Sequence, residues 1–260
     1  MTTVDEYLTF CRGVRALCRV DLEQYKRGQM ERRIRTFAAT RGAGRLAEYL
    51  RLLRRDHREL DAFLDRITIN VSQLWRNPAE WAALATDVLP ALAVGGRIRA
   101  WCAGCSYGAE AYTLAAVAAE AVPAARIDVR GTDIDERMVA RAREGRFSLA
   151  DARDVPPAAL ARWFEADGGE LVADPALRRR VRFDTGDLLR MPVRPRSYDL
   201  VLCRNTVIYF TPGVRDDLHA RLAETLRPGG VLLVGATERV ADPAALGLRP
   251  LRPHTYRREG

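Results

Sequence analysis

The sequence predicts an α/β fold in which a helical N-terminal third precedes a doubly wound parallel sheet. Two observations carry this. Between Tyr7 and Arg66 apolar residues recur at helical spacing, and after Pro90 short β-rich runs alternate with helix-like segments. The 260 residues leave room for one large domain, or for a small one joined to a medium one.

In the first third, Asp21 with Gln24 three residues on has the form of a capping box, and Met30, Ile34 and Phe37 then make one apolar stripe. Arg32, Arg33 and Arg35 lie off that stripe. Residues 41–44 (Arg-Gly-Ala-Gly) break the helix. A second helix follows through Leu46, Tyr49, Leu50 and Leu53, with Arg51, Arg54, Arg55 and Arg58 facing elsewhere, and a third is predicted from Glu59 to Ile67. The arginines read either as a solvated basic face or as a docking surface for an acidic helix or for phosphates.

In the remaining two thirds, strands are predicted at 97–102, 127–131, 181–183, 198–203 and 230–235, with a further one possible at 254–257. Helices are predicted at 109–121, 137–143 and 214–226. In such sheets ligands bind beyond the carboxyl ends of the strands, so the residues following each strand are the candidates. The first strand ends in Gly104 and Gly108, whose small size lets backbone approach a ligand, with Glu110 opening the helix behind them. The second ends in Asp133, a carboxylate able to accept from both hydroxyls of a ribose; the competing reading is that it caps the next helix. After the third, Asp187 and Leu188 are placed to bracket an adenine. No GxGxxG or GxxxxGK[ST] loop is present, and an acid at the turn repels phosphate but accepts an ammonium. Adenosine joined to an amino acid is S-adenosylmethionine.

Composition excludes other classes. Hydrophobic residues make up 48% and charged residues 29%, which argues against disorder. The apolar run 112–122 is shorter than the roughly 20 residues of a membrane span, and the N-terminus lacks a basic region followed by an apolar one. A cytoplasmic protein without membrane insertion is expected. Five scattered cysteines argue for reduced thiols; Cys102 and Cys105 form a lone CxxC with no second ligand pair, so no metal is expected. The net charge of +8 suits an anionic partner.

Residues 67–76, 101–112, 131–135, 203–210 and 227–230, in this order, resemble the CheR-type chemotaxis receptor methyltransferases. The resemblance covers nearly the whole chain. It implies a Rossmann-like methyltransferase sheet with a small antiparallel β-subdomain at about 146–182, turning at Gly168-Gly169, preceded by an all-α domain. The expected organisation is a basic helical domain at 1–66, a linker contributing to the active site at 67–90, and an S-adenosylmethionine-binding domain at 91–260.

The family's reaction transfers a methyl group from S-adenosylmethionine to receptor glutamates, leaving S-adenosylhomocysteine. By resemblance, Asn70, Ser72 and Arg76 reach the methionine part of the cofactor and the transfer site. Glu110 holds the amino group, Asp133 the ribose, and Asp187 stands where the family commonly has Asn. Asn205 and Thr206 form a cofactor contact, and Tyr209 matches the active-site tyrosine. Arg76 and Tyr209 are the expected catalytic residues, and Arg32, Arg33 and Arg35 the substrate-docking ones. Ala109, Ala111 and Ala236 depart from the family pattern. The expected partners are acidic helices of chemoreceptors rather than nucleic acid, because the residues after Asn205 (Thr-Val-Ile) lack the prolines of a [DN]PPY base pocket. The alternatives are a carboxyl methyltransferase for another protein or a small molecule, and a non-catalytic cofactor-binding scaffold.

Overall fold

The structure, a computed structural model, describes residues 5–67 and 72–260. Asn70 lies outside the described residues. The chain divides into two compact units, one of Met1–Asn70 with Tyr209–Arg215, the other of Val71–Ile208 with Asp216–Gly260.

The first unit holds helices Glu6–Cys18, Arg27–Thr40, Leu46–Arg55 and His57–Ile67. Asp5 opens the first, its carboxylate accepting from the Tyr7 amide at 3.0 Å. Apolar positions on facing helices bring Phe10, Tyr49 and Phe63 together, with ring centroids 5.8–6.2 Å apart. Met30 and Ile34 are buried and Phe37 half-buried, as their spacing predicts. Asp21 does not cap the long helix. Its carboxylate accepts from Glu23 N and caps a 3₁₀ turn at Leu22–Gln24. Tyr25 is then extended and bridges Phe210, so the helix begins only at Arg27. The fourth helix begins two residues earlier than predicted, because the Asp56 carboxylate accepts from Arg58 N at 2.9 Å.

The second unit is built on β1 (Arg97–Ala103), β2 (Arg126–Asp133), β3 (Arg146–Ser148), β4 (Phe164–Asp167), β5 (Glu170–Ala173), β6 (Val181–Thr185), β7 (Tyr198–Cys203), β8 (Leu226–Val234), β9 (Leu248–Arg252) and β10 (Thr255–Arg258). A seven-stranded sheet runs β6-β2-β1-β7-β8-β10-β9, and a separate three-stranded one runs β3-β5-β4. From β6 to β8 all pairs are parallel, in the reversing order of a doubly wound sheet. The sheet is mixed rather than wholly parallel, because β9 and β10 are joined through Pro253 and His254, too few residues for a crossover, and so pair antiparallel. Helices Ala109–Ala121 and Glu136–Glu144 carry the crossovers between β1, β2 and the small sheet.

The small sheet is antiparallel and spans 146–173, shorter than the 146–182 expected, since Val181–Thr185 pairs with β2 in the main sheet. Gly168 and Gly169, with φ of +57° and +85°, make its turn. Tyr112, Phe147, Phe164 and Phe183 pack ring on ring at 5.4–5.9 Å and join the small sheet to the large one. Among the described residues no helix is long and apolar enough to cross a membrane.

Candidate active site

The carboxyl ends of β1, β2, β6 and β7 carry the predicted residues. Asp133 ends β2 as a half-buried acid whose two oxygens accept backbone N–H groups, among them Ser106 at 2.7 Å and Asp135 at 3.0 Å. The helix cap is Asp135 instead, which accepts from Arg137 N and Met138 N. Burial raises the pKa of Asp133 despite its backbone donors. The neighbouring Ser106 Oγ is buried without a hydrogen-bond partner, a hydroxyl that a polar ligand at this turn would satisfy.

Both glycines of the turn after β1 also have protein packed against them. Gly104 has φ +80°, and a Cβ there would meet the Thr206 side chain, with Cγ2 3.0 Å away. Gly108, φ +88°, would meet Phe183 and Ala142 at about 3 Å. Both are small because protein packs against them. Thr206 thus packs directly against the turn after β1.

Asn205, at φ +58°, is held in its left-handed conformation by Glu238, 3% exposed. The Glu238 carboxylate accepts from Asn205 N at 2.8 Å, Val207 N at 3.0 Å and Gly235 N at 2.7 Å. Sequence reasoning assigned Glu238 no role. The loop after β7 is shaped by a residue that follows β8.

Glu110 does not stand alone. Its Oε2 accepts from Arg204 Nη1 at 3.2 Å, while Arg204, with its side chain 2% exposed, also pairs with Glu80. Arg204 was likewise unassigned. Burial raises the pKa of Glu110 and the guanidinium opposes that rise. Two carboxylates share one guanidinium, and an alkylammonium group beside Glu110 would give the second carboxylate a cation of its own.

Residues 72–77 are pinned to this unit from several sides. Tyr107 hydroxyl lies in hydrogen-bond reach of the Ser72 carbonyl and, at 2.8 Å, of Asp151. Leu74 N donates to Asp151 O at 3.0 Å, and Trp75 N to Thr113 Oγ1 at 3.1 Å. Leu74 and Trp75 are buried core residues, whereas Arg76 is half-buried. Asp187 lies just beyond β6, where its carboxylate accepts from Leu189 N at 2.9 Å and pairs with Arg190; Leu188 is buried.

In the first unit, Tyr209 accepts at its carbonyl from Lys26 N, 2.9 Å away. Arg35 is committed to Glu31 and Glu6, at 2.8 Å and 3.3 Å. Arg32 is exposed and Arg33 half-buried, and neither makes an ion pair among the described residues. The five cysteines are free thiols, and among the described residues no group of His, Cys, Asp or Glu is arranged to hold a metal.

A doubly wound sheet with a small antiparallel insert thus carries at its carboxyl edge a half-buried acid ending β2 beside a glycine turn, and a pair of carboxylates on one buried guanidinium. Residues 70–249 match the family described as "CheR methyltransferase, SAM binding domain", and residues 5–68 match "CheR methyltransferase, all-alpha domain". The chain belongs to the CheR methyltransferase family. It is 35% identical over 253 residues to the chemotaxis protein methyltransferase of Listeria monocytogenes serovar 1/2a, covering 96% of each chain. Chemotaxis protein methyltransferase 1 of Pseudomonas aeruginosa is 35% identical over 206 residues, covering 75% of this chain and 74% of that one. The namesake in Vibrio cholerae serotype O1 is 29% identical over 245 residues, covering 90% and 88%. The function is methylation in chemotaxis with S-adenosylmethionine as the donor.

Proposed function

We propose that this chain methylates glutamate side chains of chemoreceptor cytoplasmic helices, working in the cytoplasm. The observation that carries the reading is the placement of Asp133, a carboxylate at the end of β2, together with Glu110, which shares the Arg204 guanidinium with Glu80, at the carboxyl edge of one doubly wound sheet. Asn205, Thr206, Asp187 and Leu188 complete the cofactor side, with Ser72 toward its methionine part; Asn70 is assigned there by family resemblance alone. Bound S-adenosylmethionine supplies an electrophilic sulfonium methyl.

A glutamate with pKa near 4.3 is ionised at pH 7, so the acceptor needs no general base. What this chain must provide is alignment and exclusion of water, and orientation alone contributes roughly 7–11 kcal/mol of such a barrier. Arg76 has a planar fork of donors suited to a carboxylate. It acts by placing the acceptor rather than by neutralising it, because extra stabilisation of the ionised ground state would raise the barrier. Tyr209 lends its hydroxyl to a substrate oxygen. Docking draws on the basic face of the helical unit, where Arg32 and Arg33 are open to an acidic helix; Arg35 is already engaged by two acids and contributes less.

The test is incubation with labelled cofactor and receptor cytoplasmic fragments, scored for base-labile label on glutamate. Label confined to a small molecule or to another protein would replace the receptor reading, and cofactor binding without any transfer would point to a scaffold.

A further inference from the structure

Arg204 is the last buried cation before the cofactor-contact loop, and its guanidinium reaches three parts of the second unit. Nη1 faces Glu110 on the helix after β1. Nη2 faces Glu80, the Asn77 side-chain oxygen at 3.2 Å and the backbone carbonyl of Arg76 at 3.0 Å. Its plane lies over the Trp81 ring, 5.2 Å from the centroid, and the Trp81 indole N–H donates to the same Arg76 carbonyl at 2.9 Å. Arg76 is also bracketed by two left-handed residues, Trp75 at φ +52° and Asn77 at φ +61°. Neither is a glycine, so this conformation persists only where surrounding contacts impose it. The contacts that impose it on the carbonyl side are the two donors converging on one oxygen.

We propose that Arg204 is a positioning residue for methyl transfer, fixing the backbone of Arg76 so that the Arg76 side chain presents the acceptor in line with a donor whose amino group is held by Glu110. This rests on the assignment of Arg76 to the acceptor and of Glu110 to the donor. A single rigid fork spans both, so the two halves of the reaction share one mechanical reference. Trp81 seconds it through the same carbonyl.

Two variants separate positioning from folding. Arg204→Lys keeps a cation between Glu110 and Glu80, but a compact ammonium does not reproduce the planar fork that also reaches Arg76 and Asn77. Trp81→Phe keeps the ring under the guanidinium and removes only the indole donor. In the full chain, with receptor fragments as acceptor, kcat is expected to fall about 10- to 100-fold for Arg204→Lys and several-fold for Trp81→Phe. S-adenosylhomocysteine affinity by calorimetry should stay within about threefold in Trp81→Phe, and its thermal transition should be unchanged within a few degrees.

Turnover near wild type in both variants overturns the proposal. The discriminating measurement is a double-mutant cycle: in an Arg76→Ala background, Arg204→Lys should cause little further loss, because the group it positions is gone. An equal fold-loss in both backgrounds assigns Arg204 to the fold alone and also overturns the proposal. If Arg76→Ala itself turns over normally, the assignment of Arg76 fails and this inference fails with it; a slow Arg76→Ala beside normal Arg204→Lys and Trp81→Phe removes only the positioning role.

Discussion

The Thr206 side chain fills the space that a Cβ on Gly104 would occupy, so the turn after β1 and the loop after β7 close on each other through a missing methyl group. Gly104 has φ +80° as well, and each feature alone disfavours any other residue there. Gly104→Ala should therefore lower stability by about 2–5 kcal/mol, the sum of left-handed strain and overpacking. Thermal or denaturant unfolding measures it. Adding Thr206→Ala should recover the packing part and leave the conformational part; no recovery would mean that Thr206 is not what crowds the position.

Asp133→Ala should weaken cofactor binding by about 1.5–3 kcal/mol, the range for hydrogen bonds to a charged group. Calorimetry with S-adenosylhomocysteine reads this directly. An unchanged affinity removes Asp133 from the site.

The pH dependence of binding follows from the same residue. Burial lifts the Asp133 pKa above its usual 3.8. For folding, a raised value contributes stability that is full below 3.8 and is lost as pH rises through the folded value. Ribose hydroxyls need the ionised acceptor, so binding runs the opposite way: level at neutral pH, then falling on acidification at a pH above 3.8. Asp133→Asn should remove its share of that fall, and an identical profile in the variant would show that other groups cause it.

Glu238→Gln leaves one acceptor oxygen where the carboxylate serves several backbone donors, among them Asn205, Val207 and Gly235. A cost of about 1–3 kcal/mol is expected from the stranded amides. Hydrogen exchange should quicken first at Asn205, Val207 and Gly235. Protection equal to wild type at those three amides would show that the loop holds its shape without the clamp.

The thiols offer a check on burial. Cys102, Cys105 and Cys203 are fully enclosed and their pKa values are pushed well up by burial; that of Cys11 is pushed up to about 11. Cys18 is half-buried. Alkylation of the native protein at pH 8 should modify Cys18 first and the others only on unfolding, as mass spectrometry would report. Rapid labelling of Cys102 or Cys105 would mean that the turn after β1 opens in solution.

Much of the candidate site's placement was legible because its residues sit at fixed offsets from strand ends, as Asp133 does at the end of β2 and Gly104 just past β1. Local signals failed where a distant contact overrode them. Asp21 has capping-box spacing, yet Tyr25 is drawn into a bridge with Phe210, and the helix starts later. Arg35 looks free on a helical wheel, but Glu6 on another helix takes it.

The sequence by itself determined the alternation of strands and helices, the basic character of the first third and the acids that follow the strands, because these depend on periodicity and near neighbours. Only the tertiary structure decided that Glu110 shares a buried guanidinium with Glu80, that Glu238 shapes the loop holding Asn205, and that Thr206 stands against Gly104. Those pairings join residues far apart in the chain. Burial makes each of them consequential, since a charge or an amide removed from water must find its partner wherever the fold delivers one.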